Sequence, residues 1–197
     1  MTKRLFDIVA SGLALLLLLP VLVCIAVWIR LDSPGPVLFR QILVGLGGRH
    51  FRIRKFRTMR SDADRVGLAV TVGNDPRITR AGAFLRRFKL DELPQFLDVL
   101  LGSMSIVGPR PEVPRYMDAY PASLREKVLS VRPGITDWAS VEFRSENELL
   151  EGAVDPERTY IEQILPIKQG YYLRYVQEHS FLGDLRIILA TIQVMFR

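Results

Sequence analysis

Two adjacent carboxylates, Asp91 and Glu92, lie directly after the most basic part of the chain. Adjacent carboxylates can bind a divalent cation, and one of them can act as a nucleophile. Attack on phosphorus requires an ionised carboxylate, a state that a helix N-terminus and the nearby Arg86 and Arg87 would favour. The alternative is structural, since Asp91 is also a suitable N-cap for a helix that runs to about Leu101.

Arg110 lies in the sequence Gly108-Pro109-Arg110-Pro111, where the flanking prolines restrict the backbone. Such a segment cannot form a regular helix or a central strand. A guanidinium held in a rigid turn suits bidentate recognition of phosphate. The same turn could instead pair its arginine with a carboxylate, and the residues alone leave both interpretations open.

Four further cations have weaker claims to a substrate role. Lys55 and Arg57 lie on the cationic face of a predicted strand, where contact with water or lipid is the simpler interpretation. Arg132 lies in a second rigid turn, and Arg132 and Arg144 are lone arginines, which are usually solvated. Residue type alone therefore assigns none of the four to a substrate.

Composition excludes several common kinds of site. The chain has one cysteine, Cys24, and two isolated histidines, so no intramolecular disulfide and no Cys/His metal cluster can form. Its glycines do not follow a nucleotide-binding fingerprint, and no serine or cysteine hydrolase constellation is present. A single thiol is typical of a reducing, cytoplasmic setting.

Residues 8 to 29 form an almost unbroken apolar run of 22 residues, with Pro20 near its middle. About 20 apolar residues suffice to span a membrane, and the run lacks the cleavage site of a signal peptide. Both flanks are basic, so the charge asymmetry that usually sets orientation is absent. Pro20 can kink a helix. A kinked helix that enters and leaves on the same side of the membrane would place both basic flanks in the cytoplasm. The residues alone leave spanning and re-entrant arrangements open.

Residues 40 to 89 hold 13 Lys and Arg against 3 Asp and Glu, while the whole chain has a net charge of +6. Such a block attracts anionic lipid, nucleic acid or a phosphorylated substrate. Its position after a membrane segment favours lipid or substrate over nucleic acid. The alternative function is a non-enzymatic scaffold that binds anionic lipid or nucleic acid through this block.

Residue patterns predict a membrane-associated α/β protein. Strands are predicted at 37 to 39 and 51 to 56, with a glycine-rich hairpin loop between them. Helices are predicted at 83 to 89, at 160 to 178 and, capped by Ser180, at about 181 to 197. The acidic segment from 145 to 157 is predicted to be a loop.

Seven short motifs follow one another along the chain. They are Lys3-Arg4-Leu5-Phe6-Asp7, Pro34-Gly35-Pro36-Val37-Leu38-Phe39, Lys55-Phe56-Arg57-Thr58-Met59, Asp75-Pro76-Arg77-Ile78-Thr79, Leu90-Asp91-Glu92-Leu93-Pro94-Gln95, Ser105-Ile106-Val107-Gly108-Pro109-Arg110-Pro111-Glu112 and Arg132-Pro133-Gly134-Ile135-Thr136. Their order resembles that of the bacterial sugar transferases, the monotopic phosphoglycosyl transferases that begin glycoconjugate assembly. The match covers nearly the whole chain and is similar to the minimal form of the family, without the additional membrane domain of larger members.

The resemblance implies transfer of a phosphosugar from a UDP-sugar to polyprenol (undecaprenyl) phosphate, giving a polyprenol diphosphate sugar and UMP. It implies that Asp91 is the nucleophile and that Asp91 and Glu92 together bind Mg²⁺. Four basic side chains match positions that contact or neighbour the substrate phosphates: Arg86, Arg110, Arg144 and Lys55. Such charge makes physical sense, because phosphates and a carboxylate nucleophile repel one another.

The resemblance also implies an architecture and a location. Residues 1 to 31 would form a re-entrant, kinked membrane helix, and residues 32 to 197 a catalytic domain with a small sheet and amphipathic interfacial helices. The domain would lie on the cytoplasmic face of the bacterial inner membrane. The expected partners are the UDP-sugar, polyprenol phosphate and membrane lipid, with no nucleic acid, and a homodimer is one option.

The chain departs from the family pattern in two places. Family members often have Ser-Pro at the kink, whereas this chain has Leu19-Pro20. The glycine- and asparagine-rich turn around the later arginine is replaced by residues 141 to 146, and an acidic insertion follows. The sugar is therefore not inferred from the sequence.

Overall fold

The computed structural model describes residues 2–61, 75–143, 150 and 152–195 of the chain. In that part of the chain, helices surround two small sheets, which confirms the predicted α/β class. The helices are α1 (Thr2–Asp32), α2 (Arg80–Arg87), α3 (Gln95–Leu100), α4 (Pro114–Asp118), α5 (Ala122–Val128), α6 (Trp138–Glu142), α7 (Pro156–Thr159), α8 (Leu165–Glu178) and α9 (Phe181–Met195). The strands are β1 (Leu38–Val44), β2 (His50–Phe56), β3 (Ser105–Val107) and β4 (Gly134–Thr136).

α1 forms because its sequence is rich in leucine and alanine, which are strong helix formers. Within the described ranges it is the one helix long and apolar enough to cross a membrane, judged by length and composition. Its middle is bare, since Leu16 and Leu17 are 69% and 75% exposed. The helix continues through Pro20, and the kink expected there stays a prediction. The buried residues of α1 lie toward its two ends: Asp7, Ser11, Ile25 and Ile29.

Both ends of α1 contact the rest of the protein. Near its beginning, the Asp7 carboxylate accepts hydrogen bonds from Ser105 Oγ (2.8 Å) and the Ile106 amide (3.2 Å), which ties α1 to β3. At its end, the Arg57 guanidinium donates to the Ser33 carbonyl (2.7 Å), where a finished helix leaves acceptors unpaired. The bare apolar middle is therefore held at both ends by the same body of protein.

β1 and β2 form the predicted antiparallel hairpin, in which Leu38 pairs with Phe56. The loop contains Gly47 at φ +63°, a conformation that favours glycine. β1 extends further than predicted, because the polar residues at 40 and 41 interrupt its hydrophobic pattern. The hairpin places Lys55 near the end of β2.

β3 and β4 form a two-stranded parallel sheet that the sequence patterns did not predict. Each strand has three residues, too few to show an alternating pattern. The pairing presses Gly108 against Gly134, and a Cβ on Gly134 would overlap the backbone nitrogen of Gly108. This close approach fixes the chain just before Arg110.

The backbone around the acidic pair differs from the prediction. Lys89 adopts a left-handed conformation with φ +54°, and a separate 3-10 turn (Leu90–Glu92) follows it. α3 begins only at Gln95. The prediction that Asp91 caps one continuous helix is therefore wrong, although the helix does end beside Gly102, as predicted.

The helices predicted in the last part of the chain are confirmed. A π turn (Tyr160–Ile164) leads into α8, and together they cover the helix predicted from 160 to 178. Ser180 Oγ accepts the Gly183 amide at 3.1 Å and so caps α9. α9 is described to Met195, and much of the predicted acidic loop lies outside the described residues. The division into a membrane segment and one domain stays a prediction.

Candidate active site

The acidic pair lies at the junction between α2 and α3. The left-handed backbone of Lys89 redirects the chain, so that Asp91 and Glu92 in the 3-10 turn are each only 8% exposed. Neither the 3-10 turn nor α3 receives a side-chain capping bond, so the capping interpretation fails. Asp91 Oδ1 is buried without a hydrogen-bond partner among the described residues. Such a group is costly to leave unsatisfied and indicates a functional role.

Glu92 is held by two cations through one oxygen. Lys55 Nζ and Arg110 Nη2 both donate to Oε1, at 2.8 and 2.6 Å. Burial alone would raise the pKa of Glu92, but attraction to Arg110, Lys55 and Lys89 lowers that pKa well below its ordinary value. Attraction to Glu92 in turn raises the pKa of Arg110 well above its usual range. This ion pair therefore stays charged at neutral pH.

Asp91 has the opposite electrostatic surroundings. Burial and the adjacent Glu92 charge raise the pKa of Asp91, while Lys55, Lys89 and Arg86 oppose that rise. Arg86 thus acts in the predicted direction, but the net shift is upward because burial dominates. Burial therefore makes the ionised form of Asp91 less stable than that of Glu92, while Lys55, Lys89 and Arg86 favour the ionised form that attack on phosphorus requires.

Arg86 reaches the site from the last turn of α2. Its Nε donates to Thr58 Oγ1 at 2.9 Å, which anchors the side chain just beyond β2. Burial lowers the pKa of Arg86, and nearby carboxylate charges oppose the effect. One of these belongs to Asp75, which accepts from Arg77 Nε at 2.9 Å. The motif around Asp75, to which the sequence assigned no role, therefore lies beside the site.

The structure brings together most of the predicted site residues. Five of them converge: Asp91, Glu92, Arg86, Arg110 and Lys55. Arg132 instead donates to the Gly102 carbonyl (3.0 Å). Arg57 is buried at the end of α1, which corrects its assignment to a solvated or lipid-facing position. Arg144 lies outside the described residues.

Polar side chains that the sequence did not single out lie near Arg110. Asp137 is 2% exposed and caps α6 by accepting the Ser140 amide at 3.0 Å. Burial raises the pKa of Asp137, while its bonds to Ser140 and the charge of Arg110 oppose this. Tyr172 is buried, and its hydroxyl has no partner in the described part of the chain. A helix cap and a helical tyrosine are too ordinary as sequence features to have revealed this arrangement.

Asp91 and Glu92 offer a donor set for a divalent cation. Within the ranges described above, no three His, Cys, Asp or Glu side chains cluster in a way that could hold a metal. Mg²⁺ is commonly bound through one or two carboxylates together with substrate phosphates. The unpartnered Asp91 Oδ1 fits that mode, whereas Glu92 Oε1 already accepts from two cations.

Two adjacent buried carboxylates with Lys55, Lys89, Arg86 and Arg110 around them form a site suited to chemistry on a phosphate-bearing substrate. A family model described as bacterial sugar transferase matches residues 1–197. The chain belongs to the bacterial sugar transferase family, which confirms the resemblance drawn from its seven motifs.

Three curated relatives match nearly all of this chain. It is 42% identical over 194 residues to UDP-glucose:undecaprenyl-phosphate glucose-1-phosphate transferase of Escherichia coli (strain K12), covering 96% of this chain and 39% of that protein. It is 38% identical over 196 residues to UDP-N-acetylgalactosamine-undecaprenyl-phosphate N-acetylgalactosaminephosphotransferase of Aeromonas hydrophila, covering 98% and 43%. It is 41% identical over 205 residues to exopolysaccharide production protein PSS of Rhizobium leguminosarum bv. phaseoli, covering 96% and 92%. The chain thus spans about two fifths of the first two relatives and most of the third.

Proposed function

We propose that this protein transfers a sugar phosphate from a UDP-sugar to undecaprenyl phosphate and releases UMP. The names of the relatives describe such transfers of glucose 1-phosphate and of N-acetylgalactosamine phosphate. One observation carries the proposal at the level of residues. Asp91 Oδ1 is buried and unpartnered among the described residues, beside a Glu92 that two cations keep ionised.

The reaction proceeds in two displacements at one phosphorus atom. A carboxylate oxygen of Asp91 attacks the β-phosphorus, the bond to the bridging oxygen breaks, and UMP leaves with that oxygen. The phosphosugar is then held on Asp91 as an acyl phosphate. An oxygen of undecaprenyl phosphate next attacks the same phosphorus, and Asp91 leaves as a carboxylate. A covalent route lets one site serve a soluble donor and a lipid acceptor in turn.

The cations around the acidic pair have separable roles. Arg110 uses one nitrogen on Glu92 and retains further N–H groups that can donate to phosphate. Lys55 and Arg86 add positive charge where a diphosphate and a carboxylate must approach each other. Mg²⁺, held by Asp91 and Glu92 when bound, would supply Lewis-acid neutralisation of phosphate charge.

The proposal includes a re-entrant α1 at the cytoplasmic face of the inner membrane. The support is that Asp7 and Ser33, toward opposite ends of the apolar segment, both bond to the same body of protein. A helix that spans a hydrocarbon core of about 30 Å places its ends on opposite sides. One domain outside the membrane could not hold both ends, and Pro20 lies in the bare middle where a bend would fall.

The scaffold alternative is weakened by the internal contacts of the basic block. Arg54 pairs with the buried Asp98, Lys55 pairs with Glu92, and Arg57 binds the end of α1. These three cations bind partners within the protein, so they are not available to bind lipid or nucleic acid.

UMP release from a panel of UDP-sugars, in the presence of undecaprenyl phosphate and Mg²⁺, tests the function. We expect UMP release with at least one donor. The rate should fall by about 10³-fold or more in Asp91→Asn and should not change in Asp118→Asn, a control on the exposed surface. EDTA should abolish turnover, and turnover that persists in EDTA would contradict the role of Mg²⁺. Absence of UMP with every donor would contradict the proposed function. Activity in Asp91→Asn would contradict the assignment of Asp91 as the nucleophile.

A further inference from the structure

The carbonyl oxygen of Val107, the last residue of β3, accepts three side-chain hydrogen bonds. Lys3 Nζ, Ser105 Oγ and Tyr175 OH each lie 3.0 Å from it. These donors come from α1, β3 and α8, and Val107 is 1% exposed. Three otherwise separate elements therefore meet at one buried backbone atom.

Two buried carboxylates hold the donors in place. Asp184 accepts from Lys3 (2.6 Å) and from Tyr175 (2.9 Å), and Asp7 accepts from Ser105 (2.8 Å). Each hydroxyl has one proton, which it shares between Val107 and a carboxylate. Lys3 has three protons and can satisfy Val107 and Asp184 together. The first two turns of α1 are thus integral to the network that fixes β3.

β3 leads directly into the turn that carries Arg110. The Gly108 amide donates to the Thr136 carbonyl at 3.1 Å, so the chain is already fixed one residue after β3. Two residues further on, Arg110 reaches Glu92 Oε1 at 2.6 Å. A displacement of β3 would consequently be transmitted to the contact between Arg110 and Glu92.

We infer that four side chains act as positioning residues for Arg110: Lys3, Asp7, Tyr175 and Asp184. The position of α1 against β3 thereby determines where Arg110 lies in the active site. If the first two turns of α1 move, Val107 loses its bond from Lys3 and β3 loses the Asp7 carboxylate. β3 then shifts, and Arg110 leaves the position from which it meets substrate phosphate. The enzyme is then competent only when its apolar helix is in place. This inference rests on the proposed function where activity is the readout.

Tyr175→Phe removes one hydroxyl and leaves the charges beside the membrane segment unchanged. Tyr171→Phe, on the same helix, is its matched control. We expect kcat/KM for UMP release to fall by about tenfold or more in Tyr175→Phe and to stay unchanged in Tyr171→Phe. In an Arg110→Ala background the effect of Tyr175→Phe should shrink to less than about twofold, because both changes act through one group. An equal factor in both backgrounds would overturn the inference.

Lys3→Met tests the contribution of α1 itself. Arg30→Gln is the control, because it removes one positive charge from the other flank of the apolar segment. Lys3→Met should lower kcat/KM by about tenfold or more, again less in the Arg110→Ala background, while Arg30→Gln has little effect. Equal losses in the two variants would assign the effect to flank charge and overturn the role of Lys3.

Amide hydrogen exchange gives a readout that does not depend on the reaction. In the full-length protein in nanodiscs, the Ile106 and Gly108 amides should exchange about tenfold faster or more in Tyr175→Phe than in Tyr171→Phe. Unchanged exchange would overturn the inference, whatever the rate of UMP release. Faster exchange in a protein whose unmodified form releases no UMP would contradict the proposed function alone.

Discussion

Asp91 and Glu92 are neighbours in the sequence, yet their surroundings assign them different tasks. Glu92 is clamped by Lys55 and Arg110, which lower its pKa against the effect of burial. Asp91 has a buried oxygen that no described group binds, and burial raises its pKa. One residue organises positive charge while the other remains free to react, which is how environment separates the roles of two carboxylates.

The raised pKa of Asp91 predicts that this residue destabilises the folded protein at neutral pH. Because burial disfavours the charged form, the favourable contribution exists below the ordinary pKa of aspartate and is lost as pH rises through the folded-state pKa. In EDTA at pH 8, Asp91→Asn should therefore unfold at a higher Tm than the unmodified protein. The difference in Tm between Asp91→Asn and the unmodified protein should disappear below the ordinary pKa of aspartate. A lower Tm at pH 8 in thermal unfolding would contradict this assignment of the electrostatics.

At the scale of elements, the sequence predicted those helices, strands and turns that hydrophobic periodicity, glycine and proline indicate. The hairpin, the helices after residue 160 and the rigid turn at Arg110 all follow from such signals. The left-handed backbone of Lys89 has no sequence signal, so residue patterns left open the incorrect interpretation of Asp91 as a helix cap. The β3–β4 pair was missed because its stability comes from contacts distant in sequence.

The parallel pair β3–β4 depends on a glycine at 134. Gly134→Ala would drive a Cβ into the backbone of Gly108 and part the strands, so we expect a loss of about 1–3 kcal/mol in unfolding free energy. UMP release should fall with it because Arg110 moves. Gly170→Ala is the control: its Cβ meets nothing within 4 Å, and it lies within α8, so it should stabilise by about 0.5–1 kcal/mol. Equal stability of the two variants in denaturant unfolding would contradict the close approach.

At the scale of the whole molecule, α1 is an apolar helix whose two ends both contact the same body of protein. Asp7 binds β3, and the end of the helix is held by Arg57. This arrangement would bring the acidic pair to the membrane surface, where a soluble UDP-sugar and a lipid-linked phosphate can both reach it. Sequence patterns supplied the apolar run and its basic flanks, but the contacts at both ends became visible only in the fold.

A re-entrant α1 predicts that both of its flanks face the cytoplasm. In a Cys24→Ser background, Thr2→Cys and Arg49→Cys should each be protected from a membrane-impermeant maleimide in intact spheroplasts. Both should react once the spheroplasts are lysed, since position 2 and the exposed hairpin loop are accessible in the fold. Labelling of Thr2→Cys alone from outside would restore a simple spanning helix.

The central claim is that Asp91 carries the phosphosugar between donor and acceptor. The direct measurement is mass spectrometry of the protein after incubation with its UDP-sugar and Mg²⁺ but no undecaprenyl phosphate. The account predicts a phosphosugar on the peptide that contains Asp91, absent from Asp91→Asn and discharged when undecaprenyl phosphate is added. A protein that turns over with both substrates yet forms no adduct with the donor alone would contradict it and establish direct transfer in a ternary complex.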